Sequence, residues 1–94
     1  MVNAVVLISV EAGRIPEAAQ EIADLEGVSE VHSVAGEVDL VAIVRVKQHE
    51  DLARVIPAGI AKVDGVLSTE TLIAFQVYSK HDLEAMFSVG FESP

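Results

Sequence analysis

The chain has 94 residues, which provide material for one hydrophobic core, so a single domain is expected. Its 15 acidic and 6 basic residues give a formal net charge of −9, and the scattered Lys and Arg positions suggest no cationic patch, which disfavours nucleic acid and anionic membranes as partners. The chain has no cysteine, no apolar run of the roughly 20 residues that a membrane-spanning helix needs, and no export signal. Disulfides and thiolate chemistry are therefore excluded, and a cytoplasmic location is expected.

The first part of the chain predicts a strand, a helix and a second strand. The apolar, β-branched run Val5–Val10 predicts a buried strand. Pro16 suits the first turn of a helix, because the N–H that proline lacks has no helical partner there. Val28–Ala35 then predicts a strand in which simple alternation places Val28 and Glu30 on the same face.

The middle of the chain predicts a third strand, a second helix and a fourth strand. Leu40–Val46 is a nearly continuous apolar run, typical of a buried strand. The second helix is expected to begin near His49 or Glu50, and Pro57 should kink it or divide it into two segments. The run Val66–Tyr78 predicts a long last strand.

The order strand, helix, strand, strand, helix, strand is typical of the α+β, ferredoxin-like βαββαβ fold, with one antiparallel four-stranded sheet. The segments Leu25-Glu26-Gly27-Val28 and Val63-Asp64-Gly65-Val66 repeat the same helix-to-strand corner in both halves. Residues 1–79 are therefore predicted to form the domain. Residues 80–94 are a C-terminal tail, which we expect to pack on its own or on a neighbouring subunit.

The apolar content is high for so short a chain, since 51% of the residues are hydrophobic and the mean hydropathy is +0.45. One small core cannot bury such a surplus, and large apolar patches on proteins of this kind usually lie in subunit interfaces. The composition therefore predicts a homo-oligomer.

The sequence shows no catalytic or metal-binding constellation. There is no cysteine, no serine in a Gly-x-Ser-x-Gly elbow and no glycine-rich phosphate loop. His32, His49 and His81 are not paired at metal-ligand spacing. No catalytic residue, metal site or cofactor is therefore predicted.

Two short segments remain as candidates for a binding site. In the turn Gly36-Glu37-Val38-Asp39, glycine allows close approach and the Asp39 carboxylate can accept hydrogen bonds from turn N–H groups or from a ligand ammonium. Thr69 and Thr71 lie two residues apart and so point the same way. Hairpin turns favour Gly and Asp, and strands favour Thr, so these residues alone more often have structural roles.

The combination of these features resembles a known family. Three features together resemble the effector-binding (RAM) domain of the Lrp/AsnC family of regulators. They are the element order, Gly36-x-x-Asp39 between the middle strands, and Gly65-Val66 before Ser68-Thr69-Glu70-Thr71. The resemblance extends from Val2 to about Ser79 and rests on the spacing in VxSVxGEVDLVAIVRV and DGVLSTETLIAFQV.

The resemblance implies a dimer formed through the sheet, a dimeric α+β barrel, and dimers that assemble into a ring, an octamer or a decamer. It implies that an amino-acid effector binds between dimers at Gly36, Glu37, Val38 and Asp39, with Thr69 and Thr71 as further ligands. The chain resembles the stand-alone members that lack the helix-turn-helix, so no direct nucleic-acid partner is expected, whereas a full-length Lrp/AsnC regulator could co-assemble with it.

These observations lead to one main hypothesis and two alternatives. The main hypothesis is a non-enzymatic, Lrp/AsnC-type module that oligomerises and binds an amino acid to modulate transcription or amino-acid metabolism through partners. The first alternative is a small cofactor-free, monooxygenase-like enzyme with a dimeric α+β barrel, in which His32 and Tyr78 could serve. The second is an assembly module with an empty site.

Overall fold

The computed structural model describes residues 1–78 and Lys80. In this part of the chain, four strands and two helices follow one another with two short 3-10 helices between them. In chain order these are β1 (Val2–Val10), a 3-10 helix (Ala12–Arg14), α1 (Ile15–Ala23), β2 (Val28–Ser33), β3 (Leu40–Val46), α2 (Asp51–Val55), a 3-10 helix (Ile60–Lys62) and β4 (Val66–Ala74).

The strands form one sheet in the order β2-β3-β1-β4, and every neighbouring pair is antiparallel. The two central strands, β1 and β3, pair from Val2 with Val46 to Ile8 with Leu40. This arrangement is the predicted ferredoxin-like βαββαβ fold with a four-stranded antiparallel sheet, which is therefore confirmed.

The core lies between one face of the sheet and the helices. Alternate residues of β1 and β3 point to this face because successive side chains of a strand point to opposite sides. Strand β1 contributes Ala4, Val6, Ile8 and Val10, β3 contributes Leu40, Ala42, Val44 and Val46, and the helical segments contribute Ala18, Ile22, Leu52, Val55, Ile56 and Ile60.

The other face of the sheet, called the open face below, is not covered by either helix. The strand register assigns to it alternate residues of all four strands. Its apolar centre consists of Val5, Leu7, Val41, Ile43 and Leu72, and its surroundings are Asn3, Ser9, Glu30, His32, Arg45, Ser68, Glu70 and Ala74. Leu72 is 49% exposed. An apolar strip of this kind on a sheet normally packs against a second layer.

The strand limits differ from the sequence prediction at three places. Strand β1 begins at Val2 rather than Val5, and β2 ends at Ser33 rather than Ala35. Strand β4 ends at Ala74, four residues before the predicted end at Tyr78. Its last pair joins Ala74 to Asn3, the second residue of β1. A strand ends where its hydrogen-bonding neighbour ends, which residue type alone does not reveal.

The predicted facing of β2 is wrong at Val28. The register shifts between Val28 and Glu30, so that Val28 is opposite Val44 on the core face whereas Glu30 is opposite Ile43 on the open face. A β-bulge adds one residue to a strand and interrupts the strict alternation. Val28 can therefore pack against the core while Glu30 remains outside it.

The second helix is divided at Pro57, as predicted. Helix α2 ends at Val55, and a 3-10 helix follows at Ile60–Lys62. Proline has no N–H to donate and its ring clashes with the preceding helical turn, so a regular helix cannot continue through it. The resulting helix has only five residues.

Gly27 occupies the corner between α1 and β2, and we predict that Gly27→Ala destabilises the domain by about 2 kcal/mol. Its φ of +98° lies in the left-handed region, and an added Cβ would stand 2.7 Å from Val55 Cγ2. Both the backbone conformation and the packing thus disfavour a side chain. Urea unfolding of the two proteins measures the difference. Gly13→Ala is the control, because an added Cβ there meets nothing within 4 Å. Equal effects at the two glycines would contradict the prediction.

No helix in the described part of the chain is long and apolar enough to cross a membrane. The predicted tail of residues 80–94 lies outside the described residues apart from Lys80, so its packing remains a prediction.

Candidate functional site

The candidate turn and the beginning of β4 lie at the same end of the sheet. At this end β1 and β2 finish, whereas β3 and β4 begin. Ile8 of β1 is paired with Leu40 on one side and with Thr69 on the other. Because strands lie about 4.8 Å apart, β3 and β4 are separated here by about 10 Å, with β1 between them.

Asp39 joins the turn to the end of β1. Its N–H donates to the Ile8 carbonyl over 3.0 Å, and its carbonyl accepts the Val34 N–H over 3.0 Å. Its carboxylate Oδ2 accepts the Val10 N–H over 2.8 Å. The carboxylate thereby takes the place of a backbone acceptor where the ladder between β1 and β3 stops. Asp39 therefore has a structural role, and three of its four lone-pair positions remain for other donors.

The other three turn residues present an accessible surface. Gly36 and Glu37 are exposed, and Val38 is half-buried. Gly36 has a φ of +159°, at the edge of the extended region, and a Cβ added to it would meet nothing within 4 Å. Space for an approaching group is thus present beside Gly36.

Thr69 and Thr71 point to the helix side of β4, where the register places them opposite Ile8 and Val6. Thr71 lines an open groove of about 300 Å³ between β4 and α2. The other lining residues are mainly apolar, namely His49, Glu50, Leu52, Ala53, Ile56, Pro57 and Ile73. The sequence indicated Thr71 but not the α2 residues, because their helical spacing is equally typical of core residues.

The groove at Thr71 does not contain the other five predicted residues. None of the residues from Gly36 to Asp39 lines the groove at Thr71, and neither does Thr69. The assignment of Gly36, Glu37, Val38, Asp39, Thr69 and Thr71 to one ligand site therefore stays a prediction.

The two residues considered for an enzyme lie at opposite edges of the sheet. His32 is on β2, where its Nε2 contacts Glu30 Oε2 on the open face. Tyr78 follows the other edge strand, is 86% exposed, and donates a hydrogen bond to Gln76 Oε1 over 2.7 Å. Neither residue lines the groove at Thr71 or the other groove found among the described residues, which is formed by Arg45, Lys47 and Arg54. Among the described residues, no group of three or more His, Asp or Glu side chains is placed to hold a metal ion.

The structure corrects one prediction about charge. Although the basic residues are scattered along the sequence, Arg45, Lys47 and Arg54 line one groove of about 360 Å³ at the opposite end of the sheet. Three of the six Lys and Arg residues of the chain thus meet at one place. The fold brings the end of β3 next to α2, and the spacing along the sequence did not reveal this.

Comparison with known proteins assigns the fold and the motifs to one family. Residues 3–83 match the family model described as the Lrp/AsnC ligand binding domain. The helix-turn-helix transcriptional regulator FL11 of Pyrococcus furiosus is 30% identical over 77 residues, which are 82% of this chain and 50% of that protein. The chain spans only about 39 to 50% of the length of the curated relatives that it matches.

Two solved structures have closely similar folds. TTHA0845 from Thermus thermophilus superposes with a TM-score of 0.80 at 45% identity, covering 85% of this chain and 100% of that protein. AsnC of E. coli superposes with a TM-score of 0.77 at 26% identity, covering 83% of this chain and 53% of AsnC.

Proposed function

The chain belongs to the Lrp/AsnC ligand-binding-domain family, and from this premise we propose that it is a non-enzymatic regulatory module that oligomerises and binds an amino acid as its effector. Its curated relatives are named transcriptional regulators, which supports a regulatory role. The proposal goes beyond this role, because it also specifies the class of effector, the oligomers that the module forms and the partner through which it acts.

The observation that carries the proposal is the accessible acidic turn at the end of the sheet. Glu37 is exposed, Asp39 retains acceptor capacity beside Val10, and the space next to Gly36 is open. An amino acid carries an ammonium, which a carboxylate accepts, and a carboxylate, which exposed backbone N–H groups can bind. In this proposal the turn binds the ammonium, and the apolar groove at Thr71 supplies the kind of surface that accommodates a side chain.

The proposed dimer forms through the open face. Its apolar centre has no second layer within the described chain, and packing two such faces would produce the dimeric α+β barrel. Asn3 supports this arrangement, because its Oδ1 lies on this face, is buried, and has no hydrogen-bond partner among the described residues. A donor from the partner subunit would satisfy it.

Dimers then assemble into a ring, an octamer or a decamer, and the effector binds between dimers. This placement would allow a neighbouring chain to bridge the turn and the groove, which one chain leaves apart. In the proposal, the assembly transmits the effector signal to a partner such as a full-length Lrp/AsnC regulator. The module thereby modulates transcription or amino-acid metabolism through that partner.

A thermal-shift screen of the twenty amino acids tests the proposal. A ligand that binds only the folded state at 100 times its dissociation constant stabilises that state by about 2.7 kcal/mol. For a domain of this size the melting temperature should rise by about 10 to 20 °C. The matching N-acetyl amino acid, which lacks the ammonium, is the control and should produce a much smaller shift. If no amino acid shifts the melting temperature, the proposed effector class is wrong.

A further inference from the structure

The groove lined by Arg45, Lys47 and Arg54, called the cation groove below, lies at the end of the sheet opposite to the candidate turn. Its other lining residues are Glu26, Gly27, Val46 and Asp51. All three cationic residues are exposed. Arg54 Nη2 lies 3.4 Å from Asp51 Oδ1, whereas neither Arg45 nor Lys47 forms a salt bridge with another described residue.

The opposite end of the sheet, called the acidic end, consists of Glu11, Glu37, Asp39 and Asp64. Backbone and side-chain contacts connect the segments that carry Glu11, Asp39 and Asp64, and Glu37 belongs to the same turn as Asp39. The Val10 N–H donates to Asp39 Oδ2, and the next residue, Glu11, donates its N–H to the Gly65 carbonyl over 2.8 Å, beside Asp64. Arg14 also lies at this end, where its Nε is 3.7 Å from Asp64 Oδ2.

The cation groove and the acidic end lie at opposite ends of the sheet, and this separation matters for contacts between copies because the net charge is strongly negative. Two chains that each carry a charge of −9 repel one another at most relative orientations. The cation groove offers a place where an acidic surface of another copy can approach with local attraction. A head-to-tail contact that joins the two different ends can also be repeated from one copy to the next, and it closes into a ring when the rotation permits.

We propose that the cation groove is the docking surface for the acidic end of a second copy of this chain, and that this contact joins one dimer to the next. The inference rests on the proposed self-association and adds the surface that carries it. A small free anion fits the groove less well, because the carboxylates of Glu26 and Asp51 line it too and exposed single ion pairs contribute little. A protein surface can instead present several carboxylates at once.

The test compares two matched charge reversals, Lys47→Glu in the cation groove and Lys62→Glu near the acidic end. Both lysines are exposed, and both changes alter the net charge by the same amount. Sedimentation analysis at about 0.1 M salt, where the Debye length is about 10 Å, measures association between dimers. Lys47→Glu should raise the dissociation constant between dimers about 10-fold or more. Lys62→Glu should leave this dissociation constant unchanged or lower it, because the substitution adds negative charge near the acidic end.

The possible outcomes separate this inference from the proposed function. Equal effects of the two variants, or a wild-type chain that forms dimers and nothing larger, would overturn the cation-groove contact while leaving the open-face dimer intact. A monomeric wild-type chain would overturn both. If circular dichroism shows that Lys47→Glu is unfolded, Lys47→Gln replaces it. This variant should also raise the dissociation constant between dimers, but by a smaller factor.

A zero-length carbodiimide cross-link provides a second readout. In an equal mixture of ¹⁵N-labelled and unlabelled protein, mass spectrometry distinguishes links between copies from links within one chain. The Lys47 amine should be joined to Glu11, Glu37 or Asp64 of another copy. Links of Lys47 only to Glu26 or Asp51 of its own chain would contradict the proposed contact.

Discussion

Replacing Val5 with Lys is expected to raise the dissociation constant of the proposed dimer on the order of 1000-fold or more, corresponding to about 4 kcal/mol. Val5 lies at the centre of the open face, where its neighbours across the two adjacent strands are Ile43 and Leu72. In a symmetric dimer, two ammonium groups would enter the apolar centre of the interface, whereas the carboxylates of Glu30 and Glu70 belong to its surroundings. Light scattering or sedimentation at micromolar concentration measures the loss of the dimer.

Two controls isolate the cause of this effect. Val5→Thr keeps the β-branched shape and should weaken the dimer far less. Ala61→Lys adds the same charge at an exposed position on the second 3-10 helix and should leave the dimer unchanged. The lysine at position 5 lowers the net negative charge, so greater repulsion between chains cannot explain dissociation. A dimer of Val5→Lys with wild-type affinity would exclude the open face as the interface.

Asp39→Asn is expected to weaken binding of the amino acid about 10- to 150-fold. A hydrogen bond to a charged group contributes roughly 1.5 to 3 kcal/mol, and this substitution removes the charge while keeping the size of the side chain. The fold should survive, because the asparagine Oδ1 can still accept the Val10 N–H and asparagine is a good turn residue. Calorimetric titration with the amino acid found in the thermal screen measures the affinity.

Asp24→Asn serves as the matched control for Asp39→Asn. It makes the same change of charge at an exposed residue that follows α1, away from the turn. Its affinity for the amino acid should equal that of the wild type. If Asp39→Asn also binds with wild-type affinity, the Asp39 carboxylate serves only to bond Val10 N–H at the end of β1.

The sequence by itself determined the kind and order of the elements. Apolar runs rich in β-branched residues predicted the strands, Gly27 and Gly65 marked the two equivalent corners, and Pro57 predicted the division of the second helix. These features act within a few residues of the backbone, through steric restriction and missing donors, so their effects can be inferred without knowledge of distant partners. The motifs around Gly36 and Thr69 then indicated the family, which the match over residues 3–83 confirmed.

The tertiary structure decided which residues meet across the fold. The end of β4 at Ala74 depends on the limit of β1, and the core-side position of Val28 depends on a register shift against β3. The Asp39 carboxylate bonds the N–H of Val10, 29 residues earlier, and Arg45 and Arg54 meet in one groove because β3 ends beside α2. Such contacts follow from strand pairing and packing between distant segments, which local residue patterns do not specify.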